Sequence, residues 1–256
     1  MNILLAAFYS PGIRAIEYLI QRGFEPRQIR LISHDLPRNQ TLMVFAGSHN
    51  IEWTTLAIRS TDALEWVRDF RPDVLFSLYF RDIVPEAVLG IPRLGAVNLH
   101  PSLLPKYRGA FSAPHVILNG ERRTGFTYHY MLPQVDTGNI ILQVEVSVSP
   151  NDTAYSLYHR LIIEGMAAFD EAFRLVTETQ FPGGKQTGEP SYYPRRLPNN
   201  GYIDASWSRE QIDRFIRAMY FPPNKGAVVR VAGGAEREVS CLAEYDTLVA
   251  EGQIVT

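Results

Sequence analysis

Between residues 2 and 97 short apolar runs alternate with segments of helical periodicity, and that alternation restricts the folds open to the chain. Residues 2–8 read as a near-continuous apolar strand. Ser10-Pro11-Gly12 then turns the chain, and residues 13–21 carry apolar positions at helical spacing that stop at Gly23. The pattern recurs: a strand at 29–33, a helix at 40–47, and a helix at 61–70 with Leu64, Trp66 and Val67 among its apolar positions. A buried strand at 74–79 follows Arg71-Pro72, and another is Gly95-Ala96-Val97, with Asn98 and His100 following it. Strands alternating with helices imply right-handed crossovers and a mostly parallel sheet, with ligands outside the carboxyl ends of the strands. The fold class expected is α/β. A length of 256 residues suits one well-buried domain with a small appendage.

After this region the texture changes. Residues 125–131 and 140–148 are β-rich runs that should pair, and Thr153 can cap a long helix over 154–179, with Leu157, Leu161, Met166, Phe169 and Phe173 on its apolar face. The turn-rich stretch 181–190 then ends the main domain, giving an expected division into 1–188 and a small C-terminal subdomain, 189–256. In that subdomain Ser208 and Gln211 form a capping-box pattern before a helix to about Tyr220. Residues 228–231, Ala232-Gly233-Gly234 and 238–242 suggest a hairpin.

Twenty-five Lys and Arg against 27 Asp and Glu leave a net charge of −2, without the basic excess of a typical nucleic-acid-binding domain. No nucleic-acid partner is expected. Cys241 is the single cysteine, so an internal disulfide is excluded and a reducing, cytoplasmic setting is expected. No Lys or Arg precedes the apolar start to form a signal peptide, and no uncharged apolar run approaches a membrane span. Secretion and membrane insertion are not expected.

The chemistry-bearing stretch is Asn98-Leu99-His100-Pro101-Ser102-Leu103-Leu104-Pro105-Lys106-Tyr107-Arg108-Gly109, followed later by Val135-Asp136-Thr137-Gly138. Extended residues i and i+2 point to one side, and the proline after His100 biases it toward extended backbone, so Asn98 and His100 should face one cleft. Asp136 can reach them only through the fold. An amide, an imidazole and a carboxylate together can stabilise an oxyanion, move a proton and hold the imidazole in one tautomer, with no serine or cysteine nucleophile. Asparagine, histidine and Asp-Thr-Gly are also ordinary turn and core-polar residues, so the spacing alone carries little weight.

The longer pattern carries more. Residues 98–109 closely resemble the folate-dependent formyltransferase family, marked by Asn-x-His, then Ser-Leu-Leu-Pro-x-x-Arg-Gly, and later an Asp-x-Gly turn. Asn119-Gly120-Glu121, Thr124-Gly125-Phe126-Thr127, Asp136-Thr137-Gly138-Asn139-Ile140 and Gln143 continue the resemblance in order, and residues 72–85 extend it upstream. The resemblance implies a Rossmann-like core and formyl transfer from 10-formyltetrahydrofolate to an amine, with Asn98, His100 and Asp136 as catalytic residues. Asn98 would donate to the oxyanion, His100 would accept the amine's proton, and Asp136 would orient and support the charged imidazole. It further implies that the loop carrying Phe80, Arg81, Asp82 and Ile83 walls the folate pocket. Lys106, Tyr107 and Arg108 would contact substrate or pin their own loop. No metal is expected: His34, His49, His115, His129 and His159 lack ligand spacing and read as structural or exposed. His129 stands on the strand before Asp136, where the family often has histidine, though a core hydrogen bond accounts for it equally.

Within the family the acceptor is read outside the triad. The first strand is followed by Phe8-Tyr9-Ser10-Pro11-Gly12, not the Gly-rich phosphate loop of glycinamide ribonucleotide formyltransferases, and the neutral chain after Pro190 is short for the RNA-engaging domain of methionyl-tRNA formyltransferases. Residues 191–204 resemble the sugar-binding stretch of nucleotide-sugar N-formyltransferases, and residues 219–227 a segment near that site. Arg195 and Arg196 suit a diphosphate, and Tyr192, Tyr193 or Trp207 could stack on a base or sugar. A solvated arginine face and simple packing are the bland alternatives. The expected acceptor is a nucleotide-linked amino-dideoxy sugar for surface polysaccharide such as lipopolysaccharide O-antigen, with GDP-perosamine preferred on overall resemblance and dTDP- or UDP-linked sugars next. A homodimer is expected. A folate-dependent hydrolase and a non-catalytic folate-binding module are the rival readings.

Overall fold

A computed structural model describes residues 1–254. The elements along the chain are β1 (Ile3–Ala7), α1 (Tyr9–Gln21), β2 (Ile29–Ile32), α2 (Gln40–Ser48), β3 (Glu52–Thr54), α3 (Thr61–Phe70), β4 (Val74–Leu78), α4 (Glu86–Leu89), β5 (Ala96–His100), β6 (Arg108–Gly109), α5 (Ser112–Leu118), β7 (Arg123–Tyr130) and β8 (Ile140–Ser147). Then follow α6 (Ala154–Ala167), α7 (Phe169–Thr177), β9 (Tyr192–Tyr193), α8 (Arg209–Met219), β10 (Ala227–Arg230), β11 (Glu236–Val239) and α9 (Leu242–Ala250). The chain divides into two compact units. One holds residues 1–100, 126–144 and 162–188; the other holds 101–125, 145–161 and 189–254 of the described residues. The expected boundary at 188/189 is therefore one of several, because two excursions from the first 188 residues join the second unit.

The first unit is built on a sheet of order β3-β2-β1-β4-β5-β7-β8. Strands β3, β2, β1, β4 and β5 run parallel, and β7 pairs with β5 antiparallel. The apolar runs are continuous because both faces are covered. Successive strand residues point to opposite faces. Leu4, Ala6, Leu75 and Ala96 pack with Ala63, Val67 and Phe70 of α3. On the other face Phe76 meets Phe169 and Phe173 of α7, ring centroids 5.2 and 5.7 Å away. Helix α3 starts where expected because Ser60 Oγ accepts from the Ala63 amide at 3.1 Å, and Gly23, at φ +85°, follows the α1 cap.

The expected helix over 154–179 is two helices that break at Ala168. The Gly165 carbonyl, which a continuous helix would give to the Phe169 amide, instead accepts the buried Tyr128 hydroxyl at 2.8 Å and the Ala168 amide at 3.2 Å. A side chain inserted into the ladder is a known cause of such breaks. Thr153 does cap the first of them, accepting from the Ser156 amide at 3.1 Å.

In the second unit α5 and α8 pack together, and Ser208 caps α8 through the expected box with Gln211. The C-terminal hairpin forms from β10 and β11, but its second strand is Glu236–Val239 where 238–242 was expected, and Leu242 opens α9. Two-residue strands β6 and β9, invisible to periodicity, pair in parallel as Arg108↔Tyr192 and Gly109↔Tyr193.

Candidate active site

Strand register builds the centre of the site. Asn98 and His100 lie within β5, at its carboxyl end, not just beyond a strand ending at Val97 as the sequence suggested. The antiparallel return of β7 places His129 opposite Asn98 and Thr127 opposite His100. Asp136 comes from the loop between β7 and β8. Its carboxylate stands between two imidazoles, with Oδ2 3.5 Å from His100 Nδ1 and Oδ1 3.4 Å from His129 Nε2. His100 and His129 are only 4% and 1% exposed, so their contacts with the carboxylate lie where water screens little. The three residues singled out by spacing do converge, and the fourth member, His129, belongs with them.

Histidine 129 has a defined tautomer. Its Nδ1 lies 2.7 Å from the Tyr130 carbonyl, which can only accept, so Nδ1 carries a hydrogen. In the neutral ring Nε2 is then an acceptor, and it meets Asn98 Nδ2 at 3.3 Å.

The Asp136 loop is held in place. Asp136 itself has φ +54°, a left-handed conformation that Asp tolerates. A Cβ on Gly138 would fall 1.9 Å from the Tyr130 carbonyl oxygen, so only glycine fits there. Gln186 Nε2 donates to the carbonyls of Asp136 and Gly138 at 2.9 and 2.8 Å, and Ile140 and Gly184 exchange backbone hydrogen bonds. The stretch 181–190, read from sequence only as a domain end, thus contains a strap across the Asp136 loop. A polar residue in a turn-rich loop gives no periodic signal that would have revealed it.

The expected folate loop follows β4. Tyr79 adopts φ +64°, an uncommon conformation for an aromatic residue that costs about 1–3 kcal/mol and is found most often at functional sites. Phe80 and Asp82 line a cavity of about 270 Å³ together with Ser33, His34, Leu36 and Leu56. His34 packs against Phe80 with ring centroids 4.4 Å apart and planes tilted by 35°, and its Nε2 is 3.2 Å from Asp82 Oδ2. Arg81 and Ile83 are not among the lining residues: the Arg81 guanidinium sits 5.7 Å over the Phe8 ring, and Ile83 is half exposed. His34 was assigned no role from sequence, since a lone histidine after a strand carries no pattern.

The residues expected on the acceptor side lie in the second unit. Tyr107 is 5% exposed and its ring stacks on Tyr193 at 5.6 Å, while Tyr193 stacks on His115 at 3.7 Å. Asn119 Nδ2 donates to both tyrosine hydroxyls at 3.0 Å, and the Tyr107 hydroxyl donates to Glu121 at 2.8 Å. Tyr107 is therefore a packing residue that pins its loop. Burial and the Glu121 contact push its hydroxyl pKa up, and burial holds His115 down at about 4. A Cβ on Gly109 would meet the Tyr193 carbonyl at 2.2 Å, which explains the glycine where β6 joins β9. Lys106 is exposed with its Nζ 3.8 Å from Glu121, whereas Arg108 is half-buried in β6. Tyr192, at 60% exposure, and the exposed Arg195 and Arg196 face solvent.

A mostly parallel α/β sheet whose strand ends gather an amide, two imidazoles and a carboxylate has the groups that a class of enzymes needs for group transfer by general acid–base and oxyanion chemistry, without a covalent nucleophile. Among the described residues no cluster of His, Cys, Asp and Glu could hold a metal ion. Comparison with known proteins narrows the class, since the formyl transferase family model matches residues 33–173, and the chain belongs to that family. It is 44% identical to the GDP-perosamine N-formyltransferase of Brucella melitensis over 91% of this chain and 90% of that one. Among solved structures it matches the Helicobacter canadensis N-formyltransferase in complex with folinic acid and dTDP-3-aminofucose, at 27% identity and TM-score 0.73, covering 86% of this chain and 81% of that one. A second is WlaRD, a sugar 3N-formyl transferase solved in the presence of dTDP and 5-N-formyl-THF, at 25% identity and TM-score 0.75, covering 90% and 82%.

Proposed function

We propose that this protein transfers the formyl group of 10-formyltetrahydrofolate to the amine of a nucleotide-linked amino-dideoxy sugar, with GDP-perosamine as the acceptor. The observation that carries the acceptor is the 44% identity to a GDP-perosamine N-formyltransferase over nine-tenths of both chains. The chemistry is supported by the Asp136 carboxylate lying between two imidazoles beside Asn98.

The folate supplies an activated formyl carbon. Asn98 Nδ2 donates to the formyl oxygen as the amine attacks and negative charge gathers there. His100 removes the proton that the attacking nitrogen must lose, Asp136 supports the resulting imidazolium, and the tetrahedral intermediate collapses as its bond to N10 breaks, N10 taking up a proton and leaving as tetrahydrofolate. His129 braces Asn98 by accepting from its amide. The aromatic-walled cavity with Asp82 at its edge suits a flat, amino-bearing heterocycle, which gives Phe80 and Asp82 a direct role in folate binding. Arg81 and Ile83 then serve the same loop from outside that cavity. Tyr192, Arg195 and Arg196 offer a ring and two guanidinium groups to the nucleotide diphosphate, and Arg108 and Lys106 hold the adjoining loop.

We further assign the enzyme to the cytoplasm, as a homodimer, in the synthesis of surface polysaccharide. No helix among the described residues is long and apolar enough to cross a membrane. Incubation with 10-formyltetrahydrofolate and a panel of GDP-, dTDP- and UDP-linked amino sugars, read by mass spectrometry, tests the reading. Formylated GDP-perosamine is expected from the wild type and not from His100→Asn. A dTDP sugar formylated in its place would move the acceptor to the chemistry of the two solved relatives. Formate release without product would indicate a hydrolase.

A further inference from the structure

Ser77 is the polar residue in the otherwise apolar β4, Val74–Leu78, and it is 3% exposed in the middle of the sheet. A hydroxyl in that position is retained at a cost unless it makes a directed bond. Sheet register supplies one. Ser77 pairs with Asn98, and Asn98 pairs with His129, so three adjacent strands line up one polar residue each. Along that row Ser77 Oγ donates to Asn98 Oδ1 at 2.8 Å, and Asn98 Nδ2 donates to His129 Nε2 at 3.3 Å.

We propose that Ser77 is a positioning residue for catalysis: its hydroxyl fixes the rotation of the Asn98 carboxamide so that Nδ2, and not Oδ1, is turned toward the reacting formyl oxygen. The terminal torsion of asparagine is broad and nearly two-fold, so the side chain does not choose its own orientation. Two neighbours choose it here. His129, with its hydrogen on Nδ1, presents a lone pair that accepts only from the amide nitrogen, and Ser77 holds the opposite end. The serine contact is the shorter of the two and the one that grips the carbonyl. One Nδ2 hydrogen is committed to His129, and the other is the oxyanion donor. A flipped carboxamide would set a carbonyl oxygen against both the His129 lone pair and the developing charge.

The proposal rests on Asn98 being the oxyanion donor, and the test separates the two. In Ser77→Ala, kcat should fall about tenfold while both KM values stay within about twofold, because loosened alignment acts on the transition state. Ser77→Thr, which keeps the hydroxyl, should recover most of the loss. In an Asn98→Ala background, adding Ser77→Ala should change kcat by less than about twofold, since the group being positioned is gone. The side-chain amide pair of Asn98 in a 15N NMR spectrum, assigned by its loss in Asn98→Ala, should move in Ser77→Ala and return in Ser77→Thr. Unchanged amide resonances, a kcat equal to wild type, or a tenfold loss that persists without Asn98 would each overturn the role of Ser77. An altered amide signal with no formylated product from any sugar would leave Ser77 in place and overturn the acceptor assignment instead.

Discussion

The two regions proposed to carry the chemistry and the acceptor side are built by opposite means. The amide and both imidazoles come from β5 and β7 in fixed register, with Asp136 from the loop that follows, and the two histidines are almost wholly buried, His100 at 4% and His129 at 1% exposure. The acceptor-side segment hangs on strands only two residues long, is stabilised by a stack of His115, Tyr193 and Tyr107, and presents Tyr192 at 60% exposure. Proton transfer and oxyanion stabilisation depend on sub-ångström placement in a medium that excludes water. Recognition of a flexible, charged nucleotide tolerates exposed side chains that adjust on contact. Rigidity is concentrated where charge develops.

That contrast predicts a hierarchy of effects. His100→Asn should cost about 100- to 10,000-fold in kcat with little change in KM, the range for losing a general base; a loss under about tenfold would remove the buried strip from the chemistry. Asn98→Ala should follow at about 100- to 1,000-fold, the usual price of one oxyanion donor, again measured in kcat. On the exposed side, Arg195→Ala and Arg196→Ala should each raise the KM for the nucleotide sugar about tenfold and spare kcat, as expected for a lost charge-assisted hydrogen bond. A kcat effect as large as that of Asn98 would break the comparison. Gln186→Ala removes two bonds to the Asp136 loop, and we expect a loss of about three- to tenfold in kcat at saturating substrate. The smallest effect is on stability. Because burial holds His115 at about 4, below its ordinary value near 6.5, the unfolded chain takes up that proton first, so stability should fall as pH drops from about 6.5 to 4 and stay level above. Thermal melts of His115→Phe across that range should show a shallower acid decline than wild type.

Much of the buried strip was legible in the sequence, because its logic is local. Period-two geometry put Asn98 and His100 on one side, whereas Asp136 was picked out by the resemblance to the formyltransferase family, an Asp-Thr-Gly turn alone being ordinary turn chemistry. His129 was visible but ambiguous, since a buried histidine on a strand has the same appearance whether it satisfies a core carbonyl or braces a catalytic amide; here it does both. Ser77 and Gln186 were silent because their partners lie 21, 48 and 50 residues away, a separation that no residue pattern encodes. The break at Ala168 was likewise set by a distant hydroxyl, that of Tyr128. On the acceptor side the sequence supplied residue types but not which of them pack: Tyr107 lies in the stack while Tyr192 is outside it. Two-residue strands are too short to show any period.

The pairing of His100 with Thr127 has a consequence for the excursion between them. The chain leaves the sheet immediately after His100 and re-enters at β7, so the intervening excursion is clamped at its root by ladder hydrogen bonds. Loop-closure entropy grows only slowly with length, so the closed stem by itself sets little limit on how many residues the excursion holds. Changes of length within the excursion would therefore leave the register of its stem, Asn98 opposite His129 and His100 opposite Thr127, untouched.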